Sequence, residues 1–345
     1  MRFRVGIIGC GRMASTIEDE VQGPRRGGLI LPYCHAGGYM EVEETEMVAA
    51  CDIAEDKLDT FMERWNVPRG YHDFRQLIDK EKPDILSITT RPEQHAKAMI
   101  YGAENGVKGM YAEKPLCCSL AEADAIKDAF QRNNVFLEFG PMRRNWAGYR
   151  QARQIAESGQ LGAIKSVLGF SGNSIGGHFL DTLLYLLDDP EPISISGTLG
   201  ELYNAERDNN NLHFVQDTPI LSAFIKFENG TSLHAAATGI NSEYELVCQE
   251  GIIRIQNDGE SIQVRQKNQS AYDPIEVAPI EPWSGTVQKI HELAKSIKTG
   301  TPGISNLRAT MLGTEIGFGL YESHLQGGIA IQPPIPHRER WVSSW

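Results

Sequence analysis

The chain has 345 residues, of which 41% are hydrophobic, and its formal net charge is -12 at pH 7. This length suits two domains that each bury a sizeable core. The acidic balance argues against a nucleic-acid partner and against a polybasic membrane surface. The N-terminal apolar run is too short for a transmembrane helix and shows no signal-peptide cleavage pattern, so we expect a cytoplasmic protein without a membrane partner.

The six cysteines and nine histidines include neither a C-x-x-C nor an H-E-x-x-H pattern. A metal site has little support without such pairs, so we expect no bound metal. Reduced thiols in a cytosolic protein are the simplest interpretation of the cysteines.

The first predicted element is a short apolar strand that runs into the pattern G-x-G-x-x-A at Gly9, Gly11 and Ala14. Gly9 permits a tight turn, Gly11 lets backbone N–H groups approach a pyrophosphate, and Ala14 lets the next helix pack closely. Residues 47–52 form the second predicted strand and end on Asp52, which can bond both ribose hydroxyls. The residues predicted to bind a dinucleotide here are Gly9, Gly11, Arg12, Met13 and Asp52.

Asp52 follows Gly11 by 41 residues, although the acid of this fingerprint usually follows the glycines by about 20. The excess lies in residues 16–32, whose glycine, proline and charged residues are typical of an irregular loop. This insertion is either a solvated surface loop or a loop over the cofactor mouth, because insertions after the first strand lie near the carboxyl edge of the sheet. Pro32 favours the start of a short helix over residues 33–40.

Helical and strand patterns alternate from residue 55 to residue 139. The predicted helices cover 55–65, 93–105 and 119–133, and the predicted strands cover 84–89, 109–112 and 135–139. Ser119 and Glu122 form a capping box at the start of the third helix. The alternation predicts a doubly wound parallel sheet over residues 1–140. Ligands of such sheets bind beyond the carboxyl ends of the strands, which places 89–92, 113–115 and 140–144 around one crevice.

The remaining residues change character. Short alternating runs separated by turn signals such as Asn257-Asp258-Gly259 are typical of antiparallel hairpins. The predicted strands cover 164–170, 193–199, 220–227, 232–237, 244–248, 252–256 and 261–266. The predicted helices cover 146–158, 179–187, 286–299 and 307–325, and residues 332–345 are expected to pack across the surface as extended chain.

The motif Ala-Glu-Lys-Pro-Leu at residues 112–116, combined with the glycine loop, resembles the Gfo/Idh/MocA oxidoreductase family. The likeness continues through further residues: Asp52, Thr90, Arg91, Pro92, Arg143, Arg144, Trp146, Tyr149 and 177–181. The resemblance implies an NAD-binding Rossmann domain at 1–140. It further implies an α/β domain at 141–345, with a large open, mostly antiparallel sheet, for substrate binding and oligomerisation.

The same resemblance implies a nicotinamide cofactor, a small sugar or polyol substrate, and a homodimer or homotetramer formed through the second sheet. It also suggests a cis peptide bond between Lys114 and Pro115. Asp52 favours NAD over NADP, because a carboxylate bonds a free diol but repels a 2′-phosphate.

Lys114 is the first candidate catalytic residue. Oxidation of a secondary alcohol needs a hydride acceptor and a base for the hydroxyl proton. Desolvation and a nearby nicotinamide cation would adapt a lysine to that role, whereas the alternative is an ordinary surface lysine at a strand end. Glu113 is expected to contact ribose or to orient Lys114.

His178 is the second candidate. In the resembled family a histidine at this place faces the substrate hydroxyl, with an aspartate four residues earlier. Here that position is Ser174, so Asp181, one helical turn after His178, is a candidate to orient the histidine or a substrate hydroxyl. The alternative is a helix-terminal histidine bonded to backbone.

Several weaker candidates surround the predicted crevice. Arg143 and Arg144 are either surface charges or contacts for the cofactor and for a hydroxyl-rich substrate. His95 lies near the nicotinamide or packs a helix. Trp146 is a candidate substrate contact, although it and Tyr149 are more typical of core. Residues beside the insertion can also reach the substrate, namely Tyr33, His35 and Tyr39.

The pattern as a whole predicts hydride transfer between NAD and a secondary hydroxyl of a sugar or polyol. One alternative is an NAD-dependent glycosidase that breaks a glycosidic bond by transient oxidation and elimination. Such an enzyme forms product without accumulating NADH. A third hypothesis is a catalytically silent NAD-binding protein. Ser174, in place of the aspartate, favours this hypothesis, whereas the presence of Lys114 and His178 argues against it.

Overall fold

The computed structural model describes residues 2–20, 30–170, 177–202, 204–208, 211–214, 217–238, 242–278 and 283–343, with backbone only at 204–208 and 211–213. These residues form two compact units. The first contains the described residues before Met142 together with Trp283–Leu307. The second contains the described residues of 142–282 and those from Arg308 onward. The first unit therefore contains more than the expected residues 1–140, because the late segment Trp283–Leu307 also belongs to it.

The first unit is built on a six-stranded parallel sheet with the order β3-β2-β1-β4-β5-β6. Its strands are β1 (Phe3–Ile8), β2 (Thr45–Cys51), β3 (Gly70–Tyr71), β4 (Ile85–Ile88), β5 (Gly109–Ala112) and β6 (Phe136–Phe139). Strands β4 and β5 are buried along their whole length, which is typical of a parallel sheet covered on both faces. The predicted doubly wound sheet is confirmed.

Helices connect these strands. They are α1 (Ile17–Glu20), α2 (His35–Glu41), α3 (Glu55–Trp65), α4 (Phe74–Glu81), α5 (Pro92–Glu104) and α6 (Leu120–Asn133). Three of them, α2, α4 and α6, begin at a residue whose side chain caps the helix. Ser119 caps α6 as predicted, because its Oγ accepts the Glu122 N–H at 3.1 Å, but the returning bond of the capping box is shifted by one residue, since Glu122 Oε2 accepts the N–H of Cys118 at 2.9 Å. Strand β3 and helix α4 were not predicted.

Helix α2 begins two residues later than predicted. Glu18 Oε1 accepts the N–H groups of Tyr33 and Cys34 at 2.8 and 3.1 Å, which holds both residues outside the helix. The Cys34 sulfur then caps α2 by accepting the Gly37 N–H. Of the 16–32 insertion, residues 21–29 lie outside the described part of the chain.

Helix α9 (Gly285–Thr299) completes the first unit from late in the sequence. Its buried Val287, Ile290 and Leu293 belong to the core cluster that contains β1 and α2 residues. Gly109 gives the helix room, since a Cβ there would lie 2.8 Å from a Leu293 methyl group. This packing explains why the segment belongs with the Rossmann sheet.

The second unit is built on an eight-stranded sheet with the order β16-β15-β14-β13-β7-β12-β11-β8. Its strands are β7 (Ile164–Phe170), β8 (Pro192–Leu199), β11 (Ile220–Phe227), β12 (Ser232–Ala236), β13 (Glu243–Cys248), β14 (Gly251–Gln256), β15 (Ser261–Gln266) and β16 (Asp273–Ile275). All pairs are antiparallel except β7 with β12. The predicted large, mostly antiparallel sheet is confirmed.

Three helices and a small sheet accompany this large sheet. The helices are α7 (Ala147–Glu157), α8 (His178–Leu186) and α10 (Leu307–Leu325). Strands β9 (Asn204–Asp208), β10 (Asn211–Phe214) and β17 (Trp341–Val342) form a three-stranded sheet that the sequence did not predict. Within the residues that the structure describes, no helix is long and apolar enough to cross a membrane.

Candidate active site

The glycine loop has the geometry that a pyrophosphate requires. Gly9 has a φ of 94°, and a Cβ there would lie 2.7 Å from the carbonyl carbon of Thr89. The Thr89 hydroxyl donates to the Gly9 carbonyl at 2.6 Å, so β4 supports the turn. A Cβ at Gly11 would meet nothing within 4 Å, which leaves open space beside the loop. These features fit a dinucleotide phosphate.

Asp52 lies beside this loop, directly after β2. Its Oδ2 accepts the Cys10 N–H at 2.8 Å and its Oδ1 accepts the Ala54 N–H at 2.9 Å. Both bonds orient the carboxylate while leaving lone pairs for further donors. The arrangement fits the ribose-diol contact that the sequence predicts, despite the long insertion.

Arg12 and Met13 begin a π-helical turn, Arg12–Thr16, that continues into α1. Arg12 is exposed and pairs with Glu20 at 2.8 Å, and this hydrogen bond raises the pKa of Arg12. Met13 packs partly against the core of the unit.

Lys114 follows β5 at the carboxyl edge of the sheet and is partly exposed. Its peptide bond to Pro115 is cis, as the family resemblance implies. The backbone N–H of Lys114 donates to Oε2 of Glu113 at 3.2 Å. Glu113 is buried, with 6% exposed, and contacts the backbone of Lys114.

His95 belongs to the interior of the first unit. Its Nδ1 lies 2.8 Å from the Pro115 carbonyl oxygen and its Nε2 lies 3.0 Å from that of Thr90. Burial lowers the pKa of His95, although both carbonyls favour the charged ring. His95 thus connects the turn at Thr90 to the segment after Lys114, which is the helix-packing alternative. Arg91 is exposed and precedes Pro92, the first residue of α5.

Two of the three residues beside the insertion are buried. His35 and Tyr39 are 0% and 2% exposed, whereas Tyr33 is partly exposed, and contact of any of them with a substrate stays a prediction. His35 contacts Ser87 at 2.7 Å and Glu113 at 3.2 Å. Sequence reasoning missed Ser87 and this cluster, because the two partners lie 52 and 78 residues away in the chain.

Arg143, in the second unit, forms a bidentate pair with Asp258, with Nε–Oδ1 and Nη2–Oδ2 distances of 2.6 and 2.7 Å. Tyr149 donates its hydroxyl hydrogen to the same carboxylate at 2.7 Å. Asp258 has a φ of 56°, so the bonds hold a turn in a conformation that non-glycine residues rarely adopt. Trp146 lies beneath the guanidinium of Arg143, 5.3 Å from it to the ring centroid.

Arg144 is fully buried and contacts two carboxylates. Its Nε donates to Asp181 at 2.7 Å, and its terminal nitrogens donate to Asp189 at 2.7 and 2.8 Å. A guanidinium with 0% exposure does not present itself to a substrate. Arg144 instead connects the turn after Met142 to helix α8, and Asp181 is the helix residue that it holds.

His178 is the first residue of α8 and follows Gly177, whose φ is 96°. Its carbonyl accepts the Thr182 hydroxyl at 2.7 Å, within the helix. The residue as a whole is partly exposed, whereas its Nδ1 atom is buried. Ser174 lies outside the described residues, so its relation to His178 stays a prediction.

A buried ionic contact in the first unit was also missed. Lys289 on α9 is fully buried, donates to Ser305 Oγ at 2.6 Å and lies 3.9 Å from Glu138 Oε2 at the end of β6. All six cysteines are buried and free of disulfides. Among the described residues, no three histidine, cysteine or acidic side chains are grouped to hold a metal ion.

Residues 3–140 match the model of the family GFO_IDH_MocA, described as an oxidoreductase family with an NAD-binding Rossmann fold. Over these residues the match agrees with the resemblance and with the predicted NAD-binding Rossmann fold.

Proteins similar to this chain include inositol 2-dehydrogenase from Salmonella typhimurium, which is 31% identical over 164 residues. That match covers 47% of this chain and only 44% of the relative. The scyllo-inositol 2-dehydrogenase (NAD(+)) of Bacillus subtilis is 23% identical over 335 residues, covering 90% of this chain and 96% of the relative. Levoglucosan dehydrogenase in complex with NADH superposes with a TM-score of 0.77 at 19% identity, over 97% of this chain and 100% of that one. The last comparison shows a shared fold.

Proposed function

We propose that this chain oxidises a secondary hydroxyl of a sugar or polyol with NAD, using Lys114 for proton transfer. The observation that carries the proposal is the position of Lys114. It is the second residue after β5, at the carboxyl edge of the Rossmann sheet, and β5 lies two strands from the strand of the glycine loop in the order β1-β4-β5. Ligands of such sheets bind at this edge.

The residues that would hold NAD are those of the glycine loop and Asp52. When bound, the nicotinamide supplies a hydride acceptor. The Asp52 carboxylate is oriented by two backbone N–H groups, at 2.8 and 2.9 Å, and would repel a 2′-phosphate. NAD is therefore the preferred cofactor in this proposal.

Lys114 is proposed to take the hydroxyl proton of the substrate in the oxidative direction and to return it in the reductive direction. Burial of Glu113 and its bond to the Lys114 backbone support this role, because they fix the segment that carries the amine. The side chain of Lys108, by contrast, is exposed and already pairs with Asp84 at 2.7 Å.

His178 is proposed as a second proton-transfer group, since it begins a helix and is a partly exposed residue. The position of Asp181 three residues after His178 indicated that it orients the histidine or a substrate hydroxyl, but we assign it a structural role instead. Its carboxylate accepts from buried Arg144 at 2.7 Å, which anchors helix α8. The substrate class is supported by relatives named as dehydrogenases of inositols.

A homodimer or homotetramer through the eight-stranded sheet is part of the proposal. The outward residues of β11 include Phe224, which is 38% exposed and contacts His234 of β12 in a tilted arrangement with ring centroids 4.8 Å apart. An apolar ring in a strand face is suited to contact a second copy. Light scattering should give a dimeric or tetrameric mass, and Phe224→Glu should reduce it.

The decisive experiment is Lys114→Ala, with Lys108→Ala as the matched control. We expect the first variant to bind NAD normally in calorimetry but to lower kcat by about 10²- to 10⁴-fold. The control should keep full turnover. If Lys114→Ala retains more than about a tenth of wild-type kcat at saturating substrate, Lys114 is not the proton-transfer group. Accumulation of NADH, measured alongside the sugar product, separates the dehydrogenase from the glycosidase alternative.

A further inference from the structure

His35 opens helix α2 in the first unit, and its side chain is fully buried. The imidazole lies flat on the ring of Tyr111, with centroids 3.8 Å apart and an interplanar angle of 12°. Its nitrogens contact the Ser87 hydroxyl at 2.7 Å and the Glu113 carboxylate at 3.2 Å. The stack and the two polar contacts fix both the position and the orientation of the ring.

The partners of the ring determine where it carries hydrogen. An ionised carboxylate only accepts hydrogen bonds, so Nε2 of His35 donates to Oε1 of Glu113. The Ser87 hydroxyl can donate or accept, so it satisfies Nδ1 whether the ring is neutral or protonated. Both states of His35 therefore keep the bond to Glu113.

Glu113 in turn restrains the backbone of the neighbouring residue, Lys114. While Oε1 contacts His35, Oε2 accepts the backbone N–H of Lys114 at 3.2 Å. Gly140 leaves room for the carboxylate in this position, because a Cβ there would lie 3.1 Å from Oε2. The contacts of its two oxygens keep the carboxylate beside the Lys114 backbone, and supporting contacts of this kind hold reactive groups in productive geometry.

We propose that His35 is a positioning residue for Lys114 and acts through Glu113. The inference rests on the proposed role of Lys114 in proton transfer. His35 keeps Oε1 of Glu113 engaged, so that Oε2 stays on the Lys114 amide and the segment that carries the amine keeps its place. Without His35, Glu113 rotates toward solvent or toward other donors, and Lys114 loses that restraint.

The first test measures the restraint itself, without any reaction. Lysine is labelled with ¹⁵N, and exchange of the Lys114 amide hydrogen is followed by NMR in the full chain. His35→Phe keeps a flat ring on Tyr111 but removes both nitrogens. We expect Lys114 amide exchange to become about tenfold faster or more, as for loss of one hydrogen bond to a charged group. His35→Gln, which retains an N–H donor, should exchange within about threefold of wild type.

The second test measures turnover. We expect His35→Phe to lower kcat by about 10- to 100-fold, the cost of a small misplacement, with the Kd for NAD unchanged. His35→Gln should restore most of the loss. Val42→Ala is the matched control, because Val42 is buried at the end of the same helix and lies apart from this cluster. It should lower Tm while leaving kcat and Lys114 exchange unchanged.

The outcomes separate this inference from the proposed function. Wild-type exchange of the Lys114 amide in folded His35→Phe overturns the positioning role, whatever the enzyme catalyses. Faster exchange with unchanged kcat also overturns it, provided that Lys114→Ala lowers kcat. If Lys114→Ala is fully active, the proposed function fails instead. Should His35→Phe not fold, Ser87→Ala removes only the hydroxyl at Nδ1, and unchanged Lys114 exchange in that variant counts against the inference.

Discussion

Replacement of Arg144 by methionine would separate a structural arginine from a substrate contact. The guanidinium is fully buried, and its nitrogens lie 2.7 Å from Asp181 and 2.7 to 2.8 Å from Asp189. It also lies 5.4 Å from the centre of the Tyr185 ring. Methionine fills much of this volume but leaves both carboxylates without their cationic partner.

The expected loss of unfolding free energy follows from the burial of the Arg144 guanidinium. Burial opposes the charge on Arg144, but attraction to Asp181 and Asp189 outweighs it and raises the pKa of the guanidinium, which stays charged at every working pH. Removing one partner of such a buried pair costs about 3–5 kcal/mol of unfolding free energy. For a unit of this size each kcal/mol lowers Tm by about 2–4 °C, so we expect a fall of about 6–20 °C.

The assay is urea unfolding followed by circular dichroism, with Arg308→Met as the control. Arg308 pairs with Glu191 at 2.9 Å but is 58% exposed, so its loss should cost less than about 1 kcal/mol. Adding Asp181→Asn to Arg144→Met should recover part of the loss, because it removes one of the buried charges. A stable Arg144→Met variant with a raised KM for the sugar would refute the structural assignment.

Three further predictions concern the first unit. Asp52→Ala should narrow the difference in affinity between NAD and NADP, as measured by calorimetry, and unchanged preference would contradict the assignment of Asp52. Gly9→Ala should lower stability by about 1–3 kcal/mol and weaken NAD binding, because the loop needs a φ of 94° and a Cβ would lie 2.7 Å from Thr89. Burial lowers the pKa of His95 from 6.5, so the unfolded chain binds more protons below that pH. The contribution of His95 therefore lowers the free energy of unfolding as pH falls through 6.5. His95→Phe should flatten the decline in unfolding free energy between about pH 7 and 5, and an equally steep decline would contradict this.

The local patterns of the sequence predicted most of the fold. The glycine turn, the capping box at Ser119 and the strand periodicities each depend on residues within a few positions of one another, and the structure has these elements nearly where they were expected. Strand β3 was missed because it has only two residues, Gly70–Tyr71. The two-residue β17 was missed for the same reason.

The candidate site was predicted less completely, because side-chain partners depend on tertiary packing. Lys114 and Asp52 follow strands at a predictable edge of the sheet, so their positions could be inferred. Arg144 has the same sequence signature as a ligand-binding arginine, and only the fold brings Asp181 and Asp189 to it from 37 and 45 residues away. In the sequence His35 is similarly a histidine beside a predicted loop, and only the fold brings Ser87 and Glu113 into contact with it.

Because Trp283–Leu307 belongs to the first unit, the two units cannot be exchanged between related chains at a single junction. A single crossover near residue 141 would transfer six Rossmann strands but separate them from α9, whose Leu293 packs into the same core. A functional chimera therefore needs three junctions, near residues 141, 283 and 307. Residues between the first two junctions can then be replaced while the first unit keeps both of its segments.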